Sequence, residues 1–182
     1  LAEVFEGLRI KYPFGGALAN NYWGTIRATQ DIDVLVLIPA LRYQEIATAL
    51  TETGFTMLIG ESKTAPVNVQ SMVAMTNERH LLTIWYGGLK TEVFISFLPL
   101  QEEALKRAIR LPFEGKQIYV TSAEDLIIFK MIFHREKDLR DVKGILWSQR
   151  DKIDIAYIRR WASKTLESRY IQELEMLIKE YM

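Results

Sequence analysis

The stretch 27–38, Arg-Ala-Thr-Gln-Asp-Ile-Asp-Val-Leu-Val-Leu-Ile, places two aspartates at the head of an uninterrupted apolar run. The run from Asp31 to Ile38 predicts a central strand with apolar side chains on both faces. Side chains two positions apart in a strand point the same way, so Asp31 and Asp33 share a face. Two carboxylates that close favour a raised pKa or a cation between them. The pair indicates part of a metal site, although an acidic strand end neutralised by Arg27 explains the pattern equally well.

The composition predicts one globular domain with a helical appendage. The chain has 182 residues, of which 49% are hydrophobic and 25% charged, with 23 basic and 23 acidic residues and no cysteine. Balanced charge points to neither nucleic acid nor a membrane, and the absence of cysteine excludes disulfides and thiolate metal sites. No apolar run reaches the roughly 20 residues that span a bilayer, and the first residues lack a signal-peptide pattern. We therefore expect a cytoplasmic protein without a membrane partner.

Periodicity and turn signals predict a mixed α/β domain over residues 1–121, followed by a helical region over 122–182 that packs on it. The expected helices cover residues 1–11, 17–23, 41–52 and 101–110, and the expected strands cover 31–38, 67–75, 80–86, 89–97 and 116–120. Gly87-Gly88 is typical of a hairpin turn. Thr121 to Glu124 reads as a capping box, and further helices are expected over 136–149, 152–165 and 168–181.

Two other features are candidates for the same site as the aspartates. Gly15 and Gly16 precede a helix, and backbone N–H groups at a helix N-terminus form a natural phosphate site, although a tight turn needs such residues too. Glu92 interrupts a strand that otherwise resembles a core strand. It can join the aspartates if the two strands are neighbours, or it can face water and pair with Lys90. Carboxylate oxygens are the ligands that Mg²⁺ prefers.

The region from Glu124 to Asp141 is mostly apolar. On a continuous helical wheel, His134, Lys137 and Asp141 fall within about 40° of Lys130. Asp138 lies slightly further round. This narrow polar stripe faces either a functional cleft or solvent, where Lys137 and Asp141 would form an ordinary pair four residues apart.

The ordered motifs together resemble the signature of the DNA polymerase β-like nucleotidyltransferases. The family pattern reads Gly-Gly, a short helix and Arg-x-Thr-x-Asp-hydrophobic-Asp, which matches residues 15–33. Residues 91–94 stand where the family carries its third carboxylate, commonly an aspartate. Residues 122–141 are similar to the family's Glu-Asp-Leu…Lys…Arg-x-Lys-Asp-x-x-Asp helix pair. The likeness extends to the small bacterial group that includes AbiEii-type toxins.

The resemblance implies a nucleotidyltransferase-type mixed β-sheet flanked by helices, with a C-terminal helical extension. It also implies transfer of a nucleoside monophosphate from a nucleoside triphosphate to a hydroxyl group, with Mg²⁺ or Mn²⁺ as cofactor. Asp31, Asp33 and Glu92 would be the catalytic and metal-binding residues. The residues implied to bind the nucleotide are Gly15, Gly16, Arg27, Thr29, Lys130 and Asp138.

The resemblance leaves several functions open. The acceptor can be RNA such as a tRNA end, a protein, or a small molecule such as an aminoglycoside or lincosamide. A role as the toxin of a toxin–antitoxin pair, with an antitoxin protein as partner, follows by analogy. The alternatives are a catalytically inactive member that binds a nucleotide or a protein, and a structural α/β module with a solvated acidic strand end.

Overall fold

The computed structural model describes residues 1–59 and 63–182, and these residues form two compact units. Unit 1 comprises residues 1–15 and 29–120, and unit 2 comprises residues 16–28 and 121–182. Each unit is therefore built from two separate stretches of the chain. The division into 1–121 and 122–182 that the sequence suggests stays a prediction.

Helices and strands alternate in unit 1, whereas unit 2 is helical. The strands are β1 (Asp31–Val36), β2 (Thr56–Ile59), β3 (Lys63–Pro66), β4 (Leu81–Tyr86), β5 (Leu89–Ile95), β6 (Ile109–Phe113) and β7 (Lys116–Val120). The helices are α1 (Ala2–Gly7), α2 (Gly16–Trp23), α3 (Tyr43–Glu52), α4 (Val69–Arg79), α5 (Pro99–Arg107), α6 (Ala123–Phe133), α7 (Glu136–Gln149), α8 (Ile155–Thr165) and α9 (Ser168–Tyr181). A short 3₁₀ helix (Ala40–Arg42) precedes α3.

Unit 1 contains a five-stranded mixed sheet in the order β1-β5-β4-β2-β3. The β1–β5 pair is parallel and the other pairs are antiparallel, while β6 and β7 form a separate hairpin. Gly87 and Gly88 both have positive φ in the tight β4–β5 turn, which is the hairpin expected from the sequence. The fold class predicted from the sequence, a mixed sheet flanked by helices with helices at the C-terminal end, is confirmed.

The two faces of this sheet differ in burial, and the difference follows from the period of two along each strand. One face carries buried apolar residues from β1, β4 and β5, namely Val34, Val36, Leu82, Ile84, Val93 and Ile95. Strand β1 is the first strand in the sheet order, so the central position predicted for residues 31–38 is wrong. Helices α4 and α5 contact β4 and β1 and add buried Met72, Leu100 and Ala104. The opposite face of β4, of β5 and of the beginning of β1 is only half-buried. Charged side chains are tolerated on that second face because water still reaches it.

Unit 2 is a helical cluster in which α2 contacts α6 and α7, α6 contacts α7 and α8, and α7 contacts α9. Its core is apolar, with Ile127, Ile128 and Met131 of α6 fully buried. The segment after α2 lies tightly against α7, because a Cβ on Gly144 would come within 2.9 Å of the Thr25 hydroxyl oxygen. Helix α2 and the segment that follows it therefore belong to the helical cluster, although more than 90 residues separate them from it in the sequence.

The prediction of a strand over residues 67–75 is wrong, because helix α4 begins at Val69. The side-chain oxygen of Asn68 accepts a hydrogen bond from the Ser71 N–H at 2.9 Å and caps this helix. Met72 and Thr76 are buried, which is the four-residue spacing of one helix face. The valines at 67, 69 and 73 favour a strand, but the helix cap and the tertiary burial of one helix face outweigh that propensity.

Helix α6 is shorter than the single continuous helix over residues 124–141 that the helical wheel assumed. It ends where His134 adopts a left-handed conformation with φ of 51°, and α7 starts a new axis at Glu136. The start of α6 also differs, because Ser122 rather than Thr121 is its cap and accepts from the Asp125 N–H. Helix α9, which spans residues 168–181, agrees with the prediction.

Candidate active site

The predicted carboxylates lie on the half-buried face of the unit 1 sheet. Strands β1 and β5 are parallel neighbours, with Asp33 directly opposite Glu92 and Asp31 opposite Lys90. Paired residues in adjacent strands point to the same side of the sheet, and so do residues two positions apart in one strand. Asp31, Asp33 and Glu92 therefore share one face at the beginning of β1. The condition set by the sequence, that the Glu92 strand neighbours the aspartate strand, is met.

Lys90 is the cation of this face. Its ammonium group donates a hydrogen bond to Oε1 of Glu92. This hydrogen bond, followed by the negative charges of Glu92, Asp31 and Asp33, raises the pKa of Lys90 against the opposing effect of burial. Lys90 is therefore charged at neutral pH and neutralises part of the carboxylate group.

Thr29 and Gly15 contact the same strand. The Thr29 hydroxyl donates to Oδ1 of Asp31 at 3.0 Å and to the Asp31 carbonyl oxygen at 2.9 Å, which fixes the first aspartate. The Gly15 N–H donates to the carbonyl oxygen of Asp33 at 2.8 Å, so this donor is satisfied by the protein backbone. Gly16, with φ of 51°, begins α2 in unit 2. The phosphate-binding role of the two glycines stays a prediction.

The cations and acids of unit 2 form a buried network around Asp141. Arg27 binds this carboxylate with two parallel hydrogen bonds, Nε to Oδ1 at 3.1 Å and Nη2 to Oδ2 at 3.0 Å. The Lys130 ammonium donates to Oδ2 of the same group at 2.5 Å. Lys130 and Asp141 are both almost fully buried, so neither charge is screened by water.

Asp138 adds a second carboxylate to this network. Its Oδ1 lies 3.8 Å from the Lys130 ammonium, and its Oδ2 accepts from Nε of Arg135 at 2.6 Å. The same oxygen accepts from the Arg135 N–H at 3.2 Å and so caps the start of α7. Asp138 therefore has a structural part as a helix cap and as an acidic neighbour of Lys130, and its nucleotide-binding role stays a prediction.

Two opposing effects act on Asp141. Burial alone would raise the pKa of its carboxyl group, but the hydrogen bonds from Arg27 and Lys130 and their positive charges outweigh burial and lower the pKa. The carboxylate is consequently ionised at neutral pH and holds both cations in place. The predicted contact of Lys130 with phosphate stays a prediction, and in this structure the lysine is engaged by the acids.

The polar stripe predicted on one continuous helix is wrong in part, because the chain changes direction after His134. Lys130, Asp138 and Asp141 do come together, but across the α6–α7 junction rather than along one helix. Lys137 is exposed and lies outside the network. Nε2 of His134 lies 2.6 Å from Oε2 of Glu173, so the histidine serves the contact between α6 and α9.

The donor chemistry of the unit 1 carboxylates fits Mg²⁺ or Mn²⁺, since all three offer oxygen. Their present arrangement is not that of a formed metal site. Within residues 1–59 and 63–182, no three side chains of histidine, aspartate or glutamate are grouped so that they would hold a metal ion. Glu92 is instead hydrogen-bonded to Lys90.

A separate cavity of about 420 Å³ lies on unit 1 and has a basic lining. Its cations are Arg9, Lys11, Lys106 and Arg110, against a single acid, Glu6. The Tyr12 hydroxyl donates to Oε1 of Glu6 at 2.9 Å. The neutral total charge of the chain thus conceals a local positive surface.

Sequence reasoning missed the central position of two residues. Asp141 was recognised only as a member of the polar stripe, since its partner Arg27 lies 114 positions away in the sequence. Lys90 was recognised only as a surface partner of Glu92. The available signal for Lys90 was its spacing of two from Glu92, which places both on one face of a strand.

Comparisons with known proteins agree with this architecture. Residues 15–181 match the family described as nucleotidyltransferase of unknown function (DUF6036). No match is found among the curated proteins. The crystal structure of an antigenic nucleotidyltransferase-like protein from Paracoccidioides brasiliensis is 16% identical, with a TM-score of 0.53 over 98% of this chain and 88% of that one. The lincosamide antibiotic adenylyltransferase LnuA, lincomycin-bound, is 12% identical, with a TM-score of 0.48 over 79% of this chain and 90% of that one.

The first of these structures shares the fold with this chain. In the residues that the structure describes, no helix is both long and apolar enough to cross a membrane. The family match extends over nearly the whole chain and includes both aspartates, Glu92 and the buried network of unit 2. The chain belongs to this family of nucleotidyltransferases.

Proposed function

We propose that this chain is a metal-dependent enzyme that transfers a nucleoside monophosphate from a nucleoside triphosphate to an acceptor hydroxyl. The observation that supports this proposal most directly is the alignment of Asp33 with Glu92 on neighbouring parallel strands, with Asp31 on the same half-buried face. The third carboxylate, that of Glu92, lies on the half-buried face of the sheet and not in the apolar core. An inactive binding module would not need to retain all three acids.

In the proposed reaction, the acceptor oxygen attacks the α-phosphorus, a new P–O bond forms, and the bond to the bridging oxygen breaks so that pyrophosphate leaves. Asp31, Asp33 and Glu92 would hold Mg²⁺, which supplies charge neutralisation and alignment of the triphosphate when bound. A carboxylate of this group accepts the proton of the attacking hydroxyl. Thr29 keeps Asp31 oriented through its hydrogen bond.

The residues assigned to nucleotide binding are part of this proposal. Gly15 and Gly16 would contact phosphate oxygens through the backbone, and Lys130 would contribute positive charge. Arg27 and Asp138 would act as supporting residues, in keeping with their hydrogen bonds around Asp141 and Arg135.

The test is metal-dependent labelling by nucleoside triphosphates carrying ³²P at the α-position, with total cellular RNA and lysate offered as acceptors. Asp33→Asn and Asp31→Asn should each lower the rate at least about a thousandfold, because each removes a metal-binding oxygen and its charge. Glu52→Gln, an exposed acid on α3, is the matched control and should retain the rate. Equal rates in all four proteins would overturn the proposal.

The basic cavity of unit 1 favours an RNA acceptor over a cationic aminoglycoside. Four cations against one acid attract phosphodiester groups and repel amino sugars. Lys106→Glu with Arg110→Glu should weaken binding of a fluorescent single-stranded RNA about tenfold or more and reduce its salt dependence, while nucleotide binding stays unchanged. Arg79→Glu, an exposed reversal at the end of α4, serves as the control. Unchanged RNA binding in the double variant would argue against this acceptor.

Membership of the AbiEii-like group, a toxin role and an antitoxin partner belong to the same proposal in its narrower form. They are tested by expressing the chain and its Asp33→Asn variant in a bacterial host. Growth arrest that depends on Asp33 would support a toxin, and equal growth of both strains would contradict it.

A further inference from the structure

The acidic face of unit 1 contains a two-by-two block of charged side chains. Asp31 lies opposite Lys90, and Asp33 lies opposite Glu92, on adjacent parallel strands. All four side chains are half-buried and point to one face. Lys90 donates to Glu92 within its own strand, so a cation already occupies this group of carboxylates.

The charges of the block explain why Lys90 matters for metal binding. Three carboxylates and one ammonium carry 3 − 1 = 2 net negative charges, which a single divalent cation neutralises. The Lys90 ammonium donates a hydrogen bond to Glu92, and Lys90 lies opposite Asp31 on the same face. Once a divalent cation binds between the carboxylates, the ammonium becomes a repulsive neighbour at short range.

The lysine of an ordinary surface ion pair would not repel a metal ion bound at these carboxylates. The pair of Lys116 with Glu3 joins β7 to α1 in unit 1, and its side chains are 66% and 74% exposed. Those of Lys90 and Glu92 are 38% and 24% exposed, so water screens their charges less. Lys116 therefore offers a matched comparison in the same unit, namely a strand lysine bonded to a glutamate away from the aspartates.

We propose that Lys90 is a positioning residue that competes with a divalent cation for the carboxylates of this face, its ammonium holding Glu92 until the cation displaces it. This inference rests on the proposed function, because it concerns the same carboxylates. A lysine suits the task because its four-carbon stem lets the ammonium leave without a change in the backbone. The released ammonium can then meet the triphosphate, which is anionic.

The first measurement is calorimetric titration of Mn²⁺ and Mg²⁺, without nucleotide, into the wild-type protein and the variants Lys90→Met, Lys90→Arg and Lys116→Met. Removal of the competing charge should tighten metal binding about tenfold or more in Lys90→Met. Lys90→Arg keeps the charge and should remain close to wild type. Lys116→Met should equal wild type. Unchanged affinity in Lys90→Met would overturn the inference.

The second measurement is thermal unfolding with and without Mn²⁺. Without metal, Lys90→Met should unfold several degrees below wild type, because the three acids repel one another. Saturating Mn²⁺ should restore the lost stability and so remove this difference. Any loss in Lys116→Met should not be restored by the metal. Lys90→Gln provides a second neutral variant of different shape. A metal-insensitive loss in both neutral variants would mean that Lys90 has only a packing role.

The two proposals fail in different ways. If wild type transfers nucleotides and Lys90→Met binds metal no more tightly, the lysine inference fails and the proposed function stands. If neither wild type nor Lys90→Met binds Mn²⁺, and Asp33→Asn changes no activity, the proposed function fails as well.

Discussion

At the scale of single residues, the Asp141 carboxylate is the charged group that joins two cations of unit 2. It is buried, and it receives two hydrogen bonds from Arg27 and one from Lys130. Removing one member of a buried ion pair leaves the others charged without compensation, which costs more than the pair itself contributes. The acid therefore fixes both cations.

Asp141→Asn should lower the free energy of unfolding by about 3 kcal/mol at pH 7, because Lys130 would remain buried with only the more distant Asp138 as a negative neighbour. Chemical denaturation measures this difference. Glu136→Gln removes an exposed acid that pairs with Arg140 four residues away on α7. It should cost no more than about 0.5 kcal/mol. Similar losses in the two variants would contradict a buried role for Asp141.

The pH dependence of the stability difference between wild type and Asp141→Asn follows from the lowered pKa of Asp141. A carboxyl group whose pKa is lower in the folded state contributes stability above its unfolded pKa, which is about 3.9. That contribution is lost as pH falls through the folded pKa. The stability gap between wild type and Asp141→Asn should therefore be constant above about pH 5 and should shrink below about pH 4. A gap that is unchanged at acid pH would show that the charge of Asp141 is not what stabilises the fold.

At the scale of elements, the sequence predicted the parts whose local signals agree with their tertiary surroundings. Strands β1, β4, β5 and β7 were identified, as was the hairpin at Gly87, because apolar runs coincide there with turn residues. Strand β6 was missed because it is exposed along most of its length and offers no buried alternation to detect. Strand β3 is an edge strand that includes Pro66, which is also a weak strand signal.

Helix α4 shows the opposite failure, in which a strand was predicted and a cap decided otherwise. Asn68→Ala should destabilise the protein by about 1 kcal/mol, because the Ser71 N–H loses its acceptor. Asn68→Asp keeps an acceptor at the cap and should stay within a few tenths of a kcal/mol of wild type. Thermal or chemical unfolding of the two variants checks the assignment, and equal behaviour of both would contradict a capping role.

Helix α7 carries a glycine where helix propensity alone would favour alanine by about 1 kcal/mol. At Gly144 the added Cβ would lie 2.9 Å from the hydroxyl oxygen and 3.3 Å from the backbone nitrogen of Thr25. We expect Gly144→Ala to destabilise by about 1–3 kcal/mol, since the segment that carries Arg27 must shift.

Gly7→Ala is the matched control for this substitution, because a Cβ on Gly7, the last residue of α1, meets nothing within 4 Å. It should leave stability unchanged or raise it by up to about 1 kcal/mol. Chemical denaturation gives both values. A stabilised Gly144→Ala protein would mean that the close contact with Thr25 is not maintained in solution.

At the scale of the whole molecule, the candidate site was predicted as a set of residue types but not as a set of contacts. The shared face of Asp31 and Asp33 was predicted because residues two positions apart in a strand point the same way. The pairing of Asp33 with Glu92 depended on which strands are neighbours. The contact between Arg27 and Asp141 was not predicted, because no local sequence signal links residues 114 positions apart. The assignment of α2 to the helical unit was missed for the same reason.

The composition of the units has a consequence for truncation. A fragment of residues 1–121 retains α2 and the segment 24–28 but lacks α6 and α7, against which both pack. We expect this fragment to expose the apolar face of α2 and to aggregate or to lose helical content, as measured by circular dichroism and light scattering. Co-expression with residues 122–182 should restore a soluble complex. A monomeric, cooperatively folded fragment would show that unit 1 does not depend on the helices.

The alternating pleat that gives the sheet one buried and one half-buried face also bears on how this chain can evolve. Val34 and Val93 fix the alignment of two strands in the core, and the same alignment brings Asp33 opposite Glu92 on the other side. An insertion of one residue in either strand would exchange the two sets, so that the apolar face and the carboxylate face would be lost together. A point substitution at an acid leaves the core intact. The acids can therefore be replaced one at a time while the fold is kept.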